Sequence, residues 1–256
     1  MRLNKWFYLI SLSIIWGSSF ILIKKGLIGL EASQLGSIRI IFSSVVIILF
    51  AWKRLAKINL IEWKWITISA FLGSFFPAFL FAFAEKEIDS SVASIINSIV
   101  PLNTVIIGMV LFNIRSTRRQ IIGVLVGLIG TYILILSGMK LNPDQNYLYS
   151  GFVILCSFLY ALNVNIIKKY LQHLHALTIT VGHFAVIIIP ALIVFYFSGF
   201  EYENLKLVEV RESLLYVLIL AIFGTALAKI IFNNLIKISS PVFASSVTYS
   251  MLIVSI

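Results

Sequence analysis

The chain has 256 residues, of which 60% are hydrophobic and 12% charged; a soluble domain carries about 25% charged residues, so a soluble globular enzyme is excluded. With 14 Gly, 5 Pro and one Cys, a disordered chain, a collagen-like fibre and a disulfide scaffold are excluded too. The net charge of +10 could suit nucleic acid, but the basic residues stand in short runs between apolar stretches, as membrane orientation requires.

A bilayer core of about 30 Å takes roughly 17–25 apolar residues in a helix. Nine stretches qualify or nearly so: 6–23, 34–52, 65–84, 92–112, 120–137, 148–167, 176–197, 214–236 and 241–256. A β-barrel would instead show alternation over segments of about ten residues. The first stretch follows Arg2 and Lys5 and has no small-x-small cleavage site before Lys24 and Lys25, so it reads as a retained span. Trp16 lies ten or more residues into it, as Tyr160 does in the sixth stretch, deeper than an interfacial anchor sits, and Ser19 follows one turn later. The second stretch holds Arg39, an intramembrane charge and so a functional candidate, although its stem could also carry the head to the interface.

The fourth stretch places Ser94, Asn97, Pro101, Thr104 and Gly108 three or four apart, on one helical face. Such a face suits a substrate path or close helix packing equally, and Pro101 would weaken the local hydrogen bonds and could supply a bend for gating. Gly123, Gly127 and Gly130 in the fifth read as packing positions. The sixth carries Cys156, expected to be a buried, inert thiol, then Tyr160, Asn163 and Asn165. His183 lies in the seventh, as a helix contact or a ligand, and Lys229 in the eighth, facing a cavity or reaching the interface. The ninth presents Ser245, Thr248, Leu252 and Ser255 on one face.

No Asp or Glu is expected well inside any span, which disfavours a proton relay of the usual kind. The buried charges are positive and suit an anionic or zwitterionic substrate, such as an amino acid or organic acid. Setting the N-terminus and the loops after spans 2, 4, 6 and 8 on one side gives that side twelve basic residues against six. The other side carries nine acids, Glu85 and Asp144 among them. The basic excess puts the N-terminus in the cytoplasm.

The chain also matches itself at a shift of about 144 residues and later about 151. Ile23-Lys24-Lys25 recurs as Ile167-Lys168-Lys169; Trp16 falls on Tyr160, Ser19 on Asn163 and Arg39 on His183. At the later shift Ser94 falls on Ser245, Asn97 on Thr248 and Thr104 on Ser255. Five spans separate each pair, so the second copy would cross the membrane in the opposite sense, as in alternating-access carriers with a midplane site.

Particular residues carry a resemblance to a known family. They are Trp16-Gly17-Ser18-Ser19-Phe20, the block from Ser91 through Asn97 to Pro101-Leu102, Arg118-Arg119-Gln120-Ile121-Ile122-Gly123, and Ser239-Ser240-Pro241 through Thr248-Tyr249. In these the chain resembles the EamA-like carriers of the drug/metabolite transporter superfamily, which have ten helices in two inverted five-helix repeats. It departs from them at Phe112-Asn113-Ile114-Arg115, where members often have a small residue and a glutamate. It departs again at Ser250-Met251-Leu252, where a proline is common, and in lacking a tenth helix.

The expected fold is therefore an all-α integral membrane protein, an inverted repeat of five transmembrane helices with nine spans present. Residues 1–137 would form the first repeat, 138–147 a connecting loop and 148–256 a second repeat of four helices. The resemblance implies an inner-membrane carrier of a small metabolite, exporting by alternating access. Its partners would be the lipid bilayer and a small-molecule substrate, with no nucleic acid, cofactor or metal. Candidate substrate contacts are Trp16, Ser19, Arg39, Ser94, Asn97, Thr104, Tyr160, Asn163, His183, Lys229 and Thr248, with Pro101 for gating. Enzyme motifs such as a P-loop, GxSxG or HExxH are absent from the sequence. The rival reading is a non-transporting membrane remnant or structural protein.

Overall fold

The computed structural model describes residues 4–141 and 145–256. Among them the chain forms nine longer helical segments, α1 (Lys5–Gly26), α2 (Ala32–Lys57), α3 (Leu60–Glu87), α4 (Ser90–Phe112), α5 (Arg118–Leu141), α6 (Tyr147–Leu171), α7 (Ala176–Tyr196), α8 (Val208–Ile238) and α9 (Pro241–Ser255), and a short 3-10 helix at Tyr202–Lys206. Seven are long and apolar enough to cross a membrane; α5 has 24 residues, and α9 is a shorter apolar helix. This is an all-α membrane protein. Arg2 and Asp144, counted in the charge balance, and part of the expected 138–147 connection lie outside the described residues. The fifth helix runs on to Leu141, beyond the expected end at Ser137.

The helix starts carry local signals. Glu31 and Gln34 close a capping box at α2, and Asn59 and Glu62 do the same at α3. At α7 the His175 ring accepts from the Leu177 amide, and burial together with Arg54, Lys237 and Lys57 holds its pKa below the ordinary imidazole value. The neutral ring nitrogen is thus available as an acceptor.

Lipid tails are as apolar as leucine, so helices in a bilayer associate through close packing and hydrogen bonds rather than through burial from water. α2 and α7 run along each other at the centre, with α3 against α7 and α8 against α2. α1 packs on α8 and α9, and α6 on α3 and α4. Ile40 and Ile47 meet Phe75, Phe79, Val181, Phe184 and Ile187 in one buried cluster between α2, α3 and α7. α5 sits on α4, where the Ser98 and Thr131 hydroxyls lie 2.5 Å apart, and Tyr249 of α9 donates to the Val124 carbonyl at 3.1 Å.

Several expectations need correction. Of the three glycines read as packing positions, only Gly127 lies under a neighbour, the Tyr249 ring; nothing stands within 4 Å of a Cβ at Gly123 or Gly130. The fourth span is not continuous. Its helix breaks after Asn97, the Ser98 and Ile99 amides turn back to Ile95 and Ile96, and a new helix starts at Val100 with Pro101 in its first turn. Proline's missing N–H costs nothing at that position. Lys229 does not reach the interface; it is 6% exposed and donates to the Gly73 carbonyl.

Glu85 is the largest departure. It was counted as a loop acid, but α3 continues past Ala84 and α4 folds back at Ser90, enclosing the carboxylate. Its Oε2 accepts from Ser90 at 2.8 Å and its Oε1 is buried without a partner. A buried carboxylate therefore stands at a span end rather than in a solvated loop.

Candidate functional site

A cavity opens between the two halves of the chain, walled by α1, α2, α3, α4, α6, α7, α8 and α9. It encloses about 930 Å³ between protein atoms, open mouth included. Two interruptions in helical bonding shape its wall. Over Phe71–Phe75 in α3 and Leu220–Leu227 in α8 the turns widen to π-helix, a feature that displaces main-chain carbonyls from the regular ladder.

Each widened turn carries a glycine followed by a hydroxyl, Gly73-Ser74 and Gly224-Thr225. Neither glycine has room for a Cβ: at Gly73 it would meet the Asn163 carboxamide, and at Gly224 the Ser19 Oγ at 2.5 Å. Side chains from across the fold take the two carbonyls. Lys229 Nζ donates to Gly73 O, and Trp16 Nε1 donates to Gly224 O at 3.0 Å. Trp16 is further held edge-on against Phe232, with ring centroids 4.9 Å apart.

Arg39 is the charged centre of the cavity. Its Nε donates to Thr225 Oγ1 at 2.7 Å, and that hydroxyl in turn donates to the Leu220 carbonyl at 3.0 Å. The chain of bonds fixes the guanidinium through one nitrogen only. Tyr160, Glu85 and Lys229 lie within electrostatic range of it. Asn97 and Ser74 also line the cavity, and Asn97 Oδ1 and Ser74 Oγ are buried without hydrogen-bond partners.

Seven of the expected contacts line this cavity: Trp16, Ser19, Arg39, Asn97, Tyr160, Lys229 and Thr248. Four do not. Ser94 accepts from Ser255 Oγ at 2.8 Å, and the Thr104 hydroxyl returns to its own helix at Val100 O. Asn163 packs behind Gly73 and accepts from Ser69 Oγ at 2.5 Å. His183 is fully buried behind the cavity wall, both ring nitrogens unpartnered. These positions face protein, as polar groups in hydrocarbon must, but they face packed protein rather than the opening. Pro101 sits at the helix restart beside Val100, which does line the cavity.

Sequence reasoning missed the π-turns and their Gly-hydroxyl pairs. The signal was present: Gly73-Ser74 recurs as Gly224-Thr225 at the same shift of about 151 that relates Ser94 to Ser245.

The family model of the EamA-like transporter family matches residues 4–136 and 148–256. A curated relative, the probable amino-acid metabolite efflux pump of Salmonella typhimurium (strain LT2), is 27% identical over 162 residues, covering 62% of this chain and 52% of the relative. The chain thus matches about half the length of that curated relative.

Proposed function

The chain belongs to the EamA-like transporter family, and from that premise we propose that it carries a small anionic or zwitterionic metabolite, an amino acid or organic acid, out of the cell across the inner membrane. The observation that carries this reading is the cavity between the halves, with Arg39 tethered through Nε and its two terminal nitrogens uncommitted to any hydrogen bond among the described residues. A guanidinium fork matches a carboxylate bidentately. Among the described residues that line the cavity, Arg39 and Lys229 are basic and none is acidic, and the guanidinium's charge there favours an anionic group.

The carrier works by alternating access of two inverted units, residues 1–137 and 148–256. Contacts recur between the units in support. Lys24 donates to Glu85 O and Ile88 O at 2.8 and 3.1 Å. Lys168 donates to Ile236 O and Ser239 O at 3.2 and 2.8 Å, the same positions under the two shifts. In both, an ammonium satisfies the carbonyls left open where a helix ends.

Flux in proteoliposomes tests the reading. Counterflow of at least one member of a panel of radiolabelled amino acids and dicarboxylates is expected, competed by its unlabelled form. No protein-dependent flux across the panel would favour the non-transporting reading instead. Orientation, with the N-terminus in the cytoplasm, has its own check. In a Cys156→Ser background, Glu203→Cys is expected to react with an impermeant maleimide in intact cells and Thr117→Cys only after permeabilisation, both positions being exposed. The reverse pattern inverts the topology.

A further inference from the structure

The inverted repeat relates one hydrogen bond between the units, Arg39 to Thr225, to a second pair between them, and in that second pair the bond is not made. Arg39 is the eighth residue of α2 and His183 the eighth of α7; Thr225 and Ser74 each follow the glycine of a π-turn. The shifts that carry Lys24 and its carbonyls onto Lys168 and its carbonyls also carry Ser19 against Gly224 onto Asn163 against Gly73. They carry the Arg39–Thr225 pair onto His183 and Ser74. The first pair is bonded at 2.7 Å. In the second, the Ser74 hydroxyl and both imidazole nitrogens are buried without partners.

The unmade pair is nonetheless local. α7 packs against the π-turn that holds Ser74. Lys229, bonded to the neighbouring Gly73 carbonyl, lies within electrostatic range of His183. Three buried polar atoms left unpaired at one place cost free energy, and native structures rarely tolerate this without a compensating role. Substrate contact does not supply the role for His183, which stands behind the cavity wall.

We infer that His183 and Ser74 are positioning residues that pair in the opposite-facing conformation of the carrier, and that the Arg39–Thr225 bond opens when they do. The inference rests on the alternating-access reading above. Each of Arg39 and His183 stands seven residues, about 10 Å of helix, from the start of its own helix. In inverted units those starts lie at opposite membrane faces. One pair therefore closes the cavity toward the face where α2 begins, and the other toward the face where α7 begins. Making one bond while losing its counterpart keeps the two conformations close in free energy, as cycling requires.

The test uses two cavity-lining reporters that are themselves related by the shift, Phe20→Cys toward the α2 face and Val164→Cys toward the α7 face, each in a Cys156→Ser background. Labelling by an impermeant maleimide is read from each side, in intact cells and inverted vesicles. Thr225→Ala removes the bonded pair and is expected to raise Phe20→Cys labelling about fivefold relative to Val164→Cys, the effect of one hydrogen bond. Ser74→Ala removes the alternative pair and is expected to shift the ratio the other way, with His183→Asn as a second variant on that side. Thr225→Ser and Ser74→Thr keep a hydroxyl and restore the wild-type ratio. A merely structural role would not give opposite shifts. If both alanine variants move the ratio in the same direction, or neither moves it in protein that elutes as a monodisperse species, the pair is overturned and the carrier reading stands. If each reporter reacts from one side only in every variant, alternating access itself fails and the pair with it.

Discussion

Replacing Arg39 by glutamine is expected to cut flux of an anionic or zwitterionic substrate by about tenfold to a hundredfold, the worth of a hydrogen bond to a charged group. Three features make this the largest functional effect. The guanidinium lines the cavity, Thr225 holds it through Nε, and its terminal nitrogens have no other partner among the described residues. Glutamine can still donate to Thr225 but brings no charge and no fork. Lysine keeps the charge, so Arg39→Lys is expected to recover part of the flux while losing the bidentate geometry. The measurement is counterflow in proteoliposomes at matched protein content. If every anion in the panel moved as fast with Arg39→Gln as with the native residue, the cavity's positive charge would have no part in recognition. The choice of an anionic substrate on the strength of Arg39 would then fall.

The largest structural effect is expected at Gly73. A Cβ there would run into the Asn163 carboxamide, which is fully buried and fixed by the Ser69 hydroxyl, so the neighbour has nowhere to go. Gly73→Val is expected to destabilise the protein by about 3 kcal/mol, the upper end of the usual overpacking range. The change would also disturb the Gly73 carbonyl that accepts from the buried Lys229 side chain. A lower thermal midpoint in detergent and a smaller monodisperse fraction would report it. Gly123→Val is the control: nothing lies within 4 Å of a Cβ at that position, so its effect is expected within about 0.5 kcal/mol. Equal behaviour of the two variants would mean that the α3–α6 contact is looser than its geometry implies.

The candidate site was legible where chemistry alone restricts a side chain. Polar and charged residues in a hydrocarbon-length segment must turn toward protein, and Trp16, Ser19, Arg39, Asn97, Tyr160, Lys229 and Thr248 all do so and reach the cavity. The same rule picked out Ser94, Thr104, Asn163 and His183, which turn toward protein but not toward the opening. Helical periodicity separates the lipid-facing side from the protein-facing side; it carries no information about which part of the protein-facing side is packed and which is void. The stripe of the fourth span parts for a further reason beyond Asn97. The helix breaks between Asn97 and Val100, so the three-and-four spacing that put Asn97 on one face with Thr104 does not persist across the break.

Glu85 shows the same limit from the opposite side. Its neighbours Lys86, Glu87 and Asp89 make the segment read as a polar loop. The chain there is still helical, and Ser90 and the Lys24 stem close over it only because α1 and α4 pack at that end.

By itself the sequence determined the all-α membrane class and the location of the nine helical segments. A run of about twenty apolar residues in a bilayer must satisfy its own backbone, and a helix does so with bonds no more than a few residues apart. It also marked the embedded charges. Only the tertiary structure decided that Gly73-Ser74 and Gly224-Thr225 sit in π-turns, that Lys229 and Trp16 take the displaced carbonyls, and that one arginine is bonded where its counterpart histidine is not. Those are contacts between residues 156 to 208 positions apart in the chain. No local pattern encodes that distance.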